Sequence, residues 1–85
     1  MRFMHYDFEL GSNDVVKVSL DKQATVRLLD AANFQRFCRG HQHHYYGRLA
    51  TSSPVLLRPP HAGHWHVVVD LGGYNGTVRT SARVV

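Results

Sequence analysis

The chain has 85 residues, 44% of them hydrophobic and 19% charged, a composition typical of a folded globular domain rather than a disordered segment. A chain of this length buries only roughly 60 to 65 per cent of the surface that its unfolded form exposes, so we expect one domain, residues 1–85, and no second one. Ten Lys and Arg against six Asp and Glu give a net charge of +4, but the basic residues are scattered from Arg2 to Arg83, which argues against a nucleic-acid interface.

Alternating apolar and polar residues predict strands in the first third of the chain. In FMHYDFEL, residues 3–10, Tyr6 and Phe8 fall on the face that turns inward. VVKVSL, residues 15–20, and ATVRLL, residues 24–29, predict two further strands. The simplest arrangement pairs consecutive strands in antiparallel hairpins.

A short helix is predicted at residues 31–38. Asp30 is a good N-cap before this segment, and Gly40 provides a stop after it. The spacing of Phe34 and Phe37 turns both rings inward. We expect this helix to cap an open end of the sheet structure.

The second half of the chain again predicts strands. A short strand is expected at residues 45–50, and VLLR, residues 55–58, stands between prolines as an edge strand does. HWHVVVDL, residues 64–71, is the strongest strand and turns Trp65 inward; GGYNG then forms a turn, and TVRTSARVV, residues 77–85, returns as the last strand. About seven or eight short strands with one short helix predict an all-β fold, a small antiparallel β-sandwich of jelly-roll or Greek-key type.

The single cysteine, Cys38, cannot form an internal disulfide, so a reducing compartment is permitted. The N-terminus alternates and contains Asp7 and Glu9, which excludes a signal peptide, and no apolar run approaches the roughly 18 residues of a membrane-spanning helix. We therefore expect a cytoplasmic protein that does not enter a membrane.

The chain resembles a known family through several motifs in order: HYD, VRLLDAANF, HxYYG, SPVxL, a proline-glycine link, GHWHVVVDLGGYNGTVR and a closing ARV. Together they look like the small bacterial family called domain of unknown function 1883, over essentially the whole chain. This resemblance implies an all-β sandwich, found alone or joined to signalling-type domains such as the TIR module, with no established reaction and no agreed catalytic residues. Arg48 departs from the pattern, which has a second glycine after Gly47. A looser likeness to jelly-roll carbohydrate-binding domains concerns the fold alone.

Histidines suggest a metal site as one alternative. His64 and His66 lie two residues apart on a predicted strand, so both imidazoles project from one face, and Asp70 shares that face. Zinc needs three or four such ligands. The candidate ligands are His64, His66, Asp70, His41 and His43, with His5 and His44 as further choices. The simpler interpretation is that His64, His66 and Asp70 line the solvent side of a core strand.

The favoured prediction is a non-enzymatic recognition module without a cofactor, because no catalytic constellation is present. Aromatic and polar residues in loops or at their edges are the candidate ligand-binding residues: Tyr45, Tyr46, Arg48, Tyr74 and Asn75. The expected partner is a protein, a carbohydrate or another polyanion. An open sheet edge is also compatible with a homodimer.

Overall fold

Seven strands and one helix make up the part of the chain that the computed structural model describes, residues 3–71 and 76–85. The elements are β1 (Phe3–Leu10), β2 (Val16–Leu20), β3 (Ala24–Asp30), α1 (Ala31–Cys38), β4 (Tyr46–Ala50), β5 (Val55–Leu57), β6 (Gly63–Asp70) and β7 (Thr80–Val84). The strands form two antiparallel sheets, which confirms the predicted all-β, sandwich-like class. No helix in the described ranges is long and apolar enough to cross a bilayer.

The pairing of the strands is not local. One sheet has the order β1-β6-β3-β4 and the other has the order β5-β2-β7. The predicted hairpins between β1 and β2 and between β2 and β3 are therefore wrong, and β7 returns to β2 instead of β6. The reason is that β6 is buried on both of its faces from Val67 onwards and takes a central position between β1 and β3.

The main core lies between the two sheets. Valines of both sheets are fully buried there, among them Val18 of β2 and Val67 of β6. Trp65 joins them, as predicted, and its indole N–H donates to the carbonyl oxygen of His61 at 3.1 Å. Tyr6 and Phe8 pack against the same cluster, which confirms the inward face predicted for β1.

The helix covers the outer face of the four-stranded sheet, and the expectation that it caps an open end is wrong. Phe37 forms a second cluster there with Leu29 of β3 and Val68 of β6. Two adjacent leucines in β3 and three adjacent valines in β6 place apolar side chains on both strand faces, so the outer face also needs a cover. The helix bounds and the N-cap at Asp30 are confirmed, since the Asn33 amide donates to the Asp30 carboxylate at 2.8 Å.

Candidate functional site

Strand β4 lies at the edge of the four-stranded sheet and pairs only with β3 among the described strands. Four of its five residues are exposed, so most of β4 has no cover. Only its last residue, Ala50, is buried, whereas Tyr46 is 53% exposed and Leu49 is 55% exposed. We call Tyr45, Tyr46, Arg48 and Leu49, all of them exposed, the β4 edge surface.

The register with β3 determines which way these side chains point. Tyr46 stands opposite Leu28, on the core side of the sheet, and its ring meets the Trp65 ring edge-on at a centroid distance of 6.1 Å. Leu49 stands opposite Thr25, on the helix side. The edge of β4 therefore offers an apolar side chain to solvent on both faces of the sheet.

Tyr45 lies just before β4 and connects this edge to the helix. Its ring centroid is 5.0 Å from the guanidinium carbon of Arg27, and the ring of Phe37 is 5.1 Å from the same atom. His43 stands between the two rings, edge-on to Phe37 at 5.3 Å. Tyr45 is still 42% exposed, so one part of the ring is held by Arg27 while the rest faces solvent.

The predicted ligand-binding residues Tyr45, Tyr46 and Arg48 thus lie together on one edge, while Tyr74 and Asn75 lie outside the described residues. Leu49 was not predicted as a site residue. In the sequence, Leu49 is a leucine among polar and small residues in a short predicted strand. Such a leucine can equally well be buried, so the pattern does not predict its exposure.

The histidines predicted on the outer face of β6 meet partners from β1. His64 lies opposite Glu9 and, in its protonated form, donates from Nδ1 to Glu9 Oε1 at 2.5 Å and from Nε2 to Asp7 Oδ2 at 2.9 Å. These hydrogen bonds, first to Glu9 and then to Asp7, raise the pKa of His64 above its ordinary value.

His66 has a different environment, although it lies only two residues away. Its Nδ1 shares a hydrogen bond of 2.8 Å with Nε2 of His5, and the Phe34 ring of the helix stacks on both imidazoles at centroid distances of 4.3 Å. Partial burial, followed by the nearby positive charges that His5 and His64 can carry, lowers the pKa of His66.

Asp70 does not lie on the solvent side, and this part of the histidine interpretation is wrong. Its side chain is buried, with the residue only 3% exposed, and forms an ion pair with Arg27. The alternation placed Asp70 on the correct face, but it could not show that a neighbouring strand supplies a basic partner there.

The geometry gives the metal-binding alternative little support. His43 packs against Phe37 and Tyr45 instead of joining the histidines of β6. Within residues 3–71 and 76–85, no three His, Cys, Asp or Glu side chains are arranged to hold a metal ion. The alternative stays a prediction, and metal analysis of untagged protein is its test.

Comparison with known proteins identifies a family. Residues 1–85 match the family model described as a domain of unknown function, DUF1883. No curated protein and no solved structure matches the chain. The match confirms the resemblance seen in the sequence and assigns no reaction.

Proposed function

The chain belongs to the DUF1883 family, and from the geometry of β4 we propose that it is a non-enzymatic recognition module that binds its partner through the β4 edge surface. The observation that carries the proposal is the exposure of Tyr46 and Leu49, each more than half accessible, on a strand whose outer edge has no partner among the described strands. Exposed aromatic and aliphatic groups on a firm scaffold are typical of binding surfaces.

The surroundings of the edge also support a binding role. The rings of Tyr45 and Phe37 are both close to the Arg27 guanidinium, which is itself paired with Asp70. Tyr46 is similarly steadied by its contact with Trp65. Aromatic groups that are held in place before binding lose little conformational entropy when a partner arrives.

A binding screen against a glycan array, a set of oligonucleotides and a peptide display library tests the proposal. We expect at least one ligand, and we expect Tyr46→Ala and Leu49→Ala each to weaken it about tenfold, the effect of removing a central contact residue. Leu56→Ala is the matched control, because Leu56 is a leucine of equal exposure, 56%, in a strand of the other sheet. The affinity of the Leu56→Ala variant for that ligand should equal that of the wild type.

Two results would reject the proposal. One is the absence of any ligand at micromolar concentration in all three screens. The other is a ligand whose binding neither Tyr46→Ala nor Leu49→Ala weakens, while both variants keep the melting temperature of the wild type.

We further propose that the domain lies in the cytoplasm, because its single cysteine, Cys38, is free and exposed.

A further inference from the structure

The charge of the chain is concentrated in the segment that contains β4. Residues 31–69 hold no Asp or Glu, but they hold four Arg and six of the seven His. The rest of the chain has six basic and six acidic residues and is neutral, so this segment accounts for the whole net charge of +4. The basic residues are thus spread along the chain, whereas the acidic residues are confined to its two ends.

Exposed basic residues of this segment adjoin the β4 edge surface. Arg48 belongs to that surface. Arg36 and Arg39 flank Phe37 at the end of the helix. The ring of His43 contacts the rings of both Phe37 and Tyr45, and so connects this end of the helix to the β4 edge surface. In the described part of the chain, ion pairs are formed by Arg27 and His64, and by no other basic residue. The exposed arginines Arg36, Arg39 and Arg48 are therefore left without an ion-pair partner among the described residues, and they favour a partner of negative charge.

The main chain of β4 adds a second requirement for the partner. An edge strand presents a row of unpaired main-chain N–H and C=O groups, which another extended polypeptide can satisfy with its own main chain. A glycan or a nucleic acid has no matching row of donors and acceptors. Proteins often protect such edges with charged residues, above all Lys, or with Pro. Strand β4 contains neither Lys nor Pro, and its one charged residue, Arg48, repels a basic strand but attracts an acidic one. The edge is thus suited to the addition of a strand.

We propose that the partner is an extended, acidic polypeptide segment that adds to the four-stranded sheet as a fifth strand along β4. Its main chain pairs with the outer edge of β4, its apolar side chains contact Tyr46 and Leu49, and its carboxylates face Arg48 and the arginines at the end of the helix. This inference rests on the proposed function and specifies the chemistry of the partner.

Synthetic peptides of about nine residues test the inference, in three versions in which pairs of Val alternate with pairs of a second residue, so that both faces of the added strand carry Val. The first carries Glu at the remaining positions, the second carries Lys there, and the third is the Glu peptide with alternate backbone amides methylated. We expect the Glu peptide to bind at least tenfold more tightly than either of the others. Its affinity should fall as NaCl rises from about 50 to about 500 mM, because salt screens exposed charges.

Substitutions in the chain locate the binding. Arg48→Glu and Leu49→Lys should each weaken the Glu peptide about tenfold or more, and Arg48→Glu should improve the Lys peptide. Arg83→Glu and Leu56→Lys make the same changes at exposed positions of the other sheet, on β7 and β5, and should leave the affinity within about twofold.

Each other outcome overturns the inference. The acidic strand is rejected if the Glu and Lys peptides bind equally well at the β4 edge, or if a glycan binds and no peptide does. Either result leaves the proposed function of the β4 edge surface intact. Tighter binding of a single-stranded RNA that competes at Arg48 also rejects the acidic strand. Light scattering that shows a dimer dispersed by Leu49→Lys identifies a second copy of the chain as the occupant. Absence of every class of ligand rejects both proposals.

Discussion

Arg27 and Asp70 form an ion pair beneath the segment that leads into β4. The Asp70 side chain is almost fully buried, whereas the Arg27 side chain keeps 18% of its surface exposed. The guanidinium also contacts the rings of Phe37 and Tyr45, so it joins the central strand, the helix and the candidate site. A charge so enclosed needs its partner, because its hydration has been lost.

We predict that Asp70→Asn lowers the free energy of unfolding by about 2 to 4 kcal/mol, less than for a fully buried pair because Arg27 is partly hydrated. Urea denaturation measures the loss. The double variant Arg27→Leu, Asp70→Leu should recover part of it, since replacing both charges leaves neither unpaired. A single variant within about 0.5 kcal/mol of the wild type would contradict this prediction.

His66 should make the domain less stable in acid. Its pKa in the folded state is lowered, so the unfolded chain takes up the proton first as the pH falls. The stabilisation is present above about 6.5, the unfolded value, and is lost as the pH falls through the folded pKa. Between about pH 7.5 and 5.5, His66→Phe should flatten the fall in melting temperature. An unchanged slope would show that His66 is not responsible.

His64 should act in the opposite direction. Its pKa in the folded state is raised by Glu9 and Asp7, so its stabilising effect is present below about 6.5 and is lost as the pH rises through the folded pKa. In the same melting series His64→Gln should make the fall in acid steeper, where His66→Phe makes it shallower. Equal slopes for the two variants would refute the assigned environments.

At the level of elements, the helix is stabilised at both ends by its own sequence. The Asp30 carboxylate accepts from the Asn33 amide, while Gly40, at a positive φ of 73°, and His41 donate back to the carbonyl oxygens of Phe37 and Arg36. These bonds satisfy main-chain groups that an isolated helix end leaves free.

Removal of the N-cap tests this account. Asp30→Ala should lower the free energy of unfolding by about 1 kcal/mol, whereas Asp30→Ser should keep most of the stability because a serine oxygen also caps. Chemical denaturation of the two variants decides between them. Equal losses would mean that the interaction with the helix end is not what Asp30 contributes.

Strand β4 depends on its neighbours in a different way from the helix. At Gly47 the backbone has φ of 137°, and a side-chain carbon there would collide with the carbonyl oxygen of Val26. The close approach of β3 and β4 explains why a glycine stands at position 47, just before the exposed Arg48 and Leu49. Because Gly47 has no side chain, β4 can lie this close to β3.

At the level of the whole molecule, the fold depends on contacts between distant parts of the chain. Neither β1 nor β3 pairs with β2, and both flank β6, which follows them by more than thirty residues. A peptide of residues 1–30 should therefore be unfolded in water, with no cross-strand nuclear Overhauser effects between its three strand segments. Hairpin contacts between residues 3–10 and 15–20 in that peptide would contradict the prediction, and the full chain is the control.

What the sequence determined by itself is local. The helix at residues 31–38, its caps, the strand segments and the inward direction of Trp65 follow from periodicity and backbone preferences that act over a few residues. The family, too, could be identified from the order of short motifs.

The tertiary structure decided the rest, because burial and pairing depend on which layer covers which strand. Alternation assigned Asp70 to a face but could not show that Arg27 lies on that face, nor that the helix covers it. Likewise Tyr46 and Leu49 are exposed because β4 lies at the edge of its sheet, while the helix on the outer face packs on β3 and β6. Side-chain period is a property of one strand, whereas exposure and charge partners are properties of the assembled sheets.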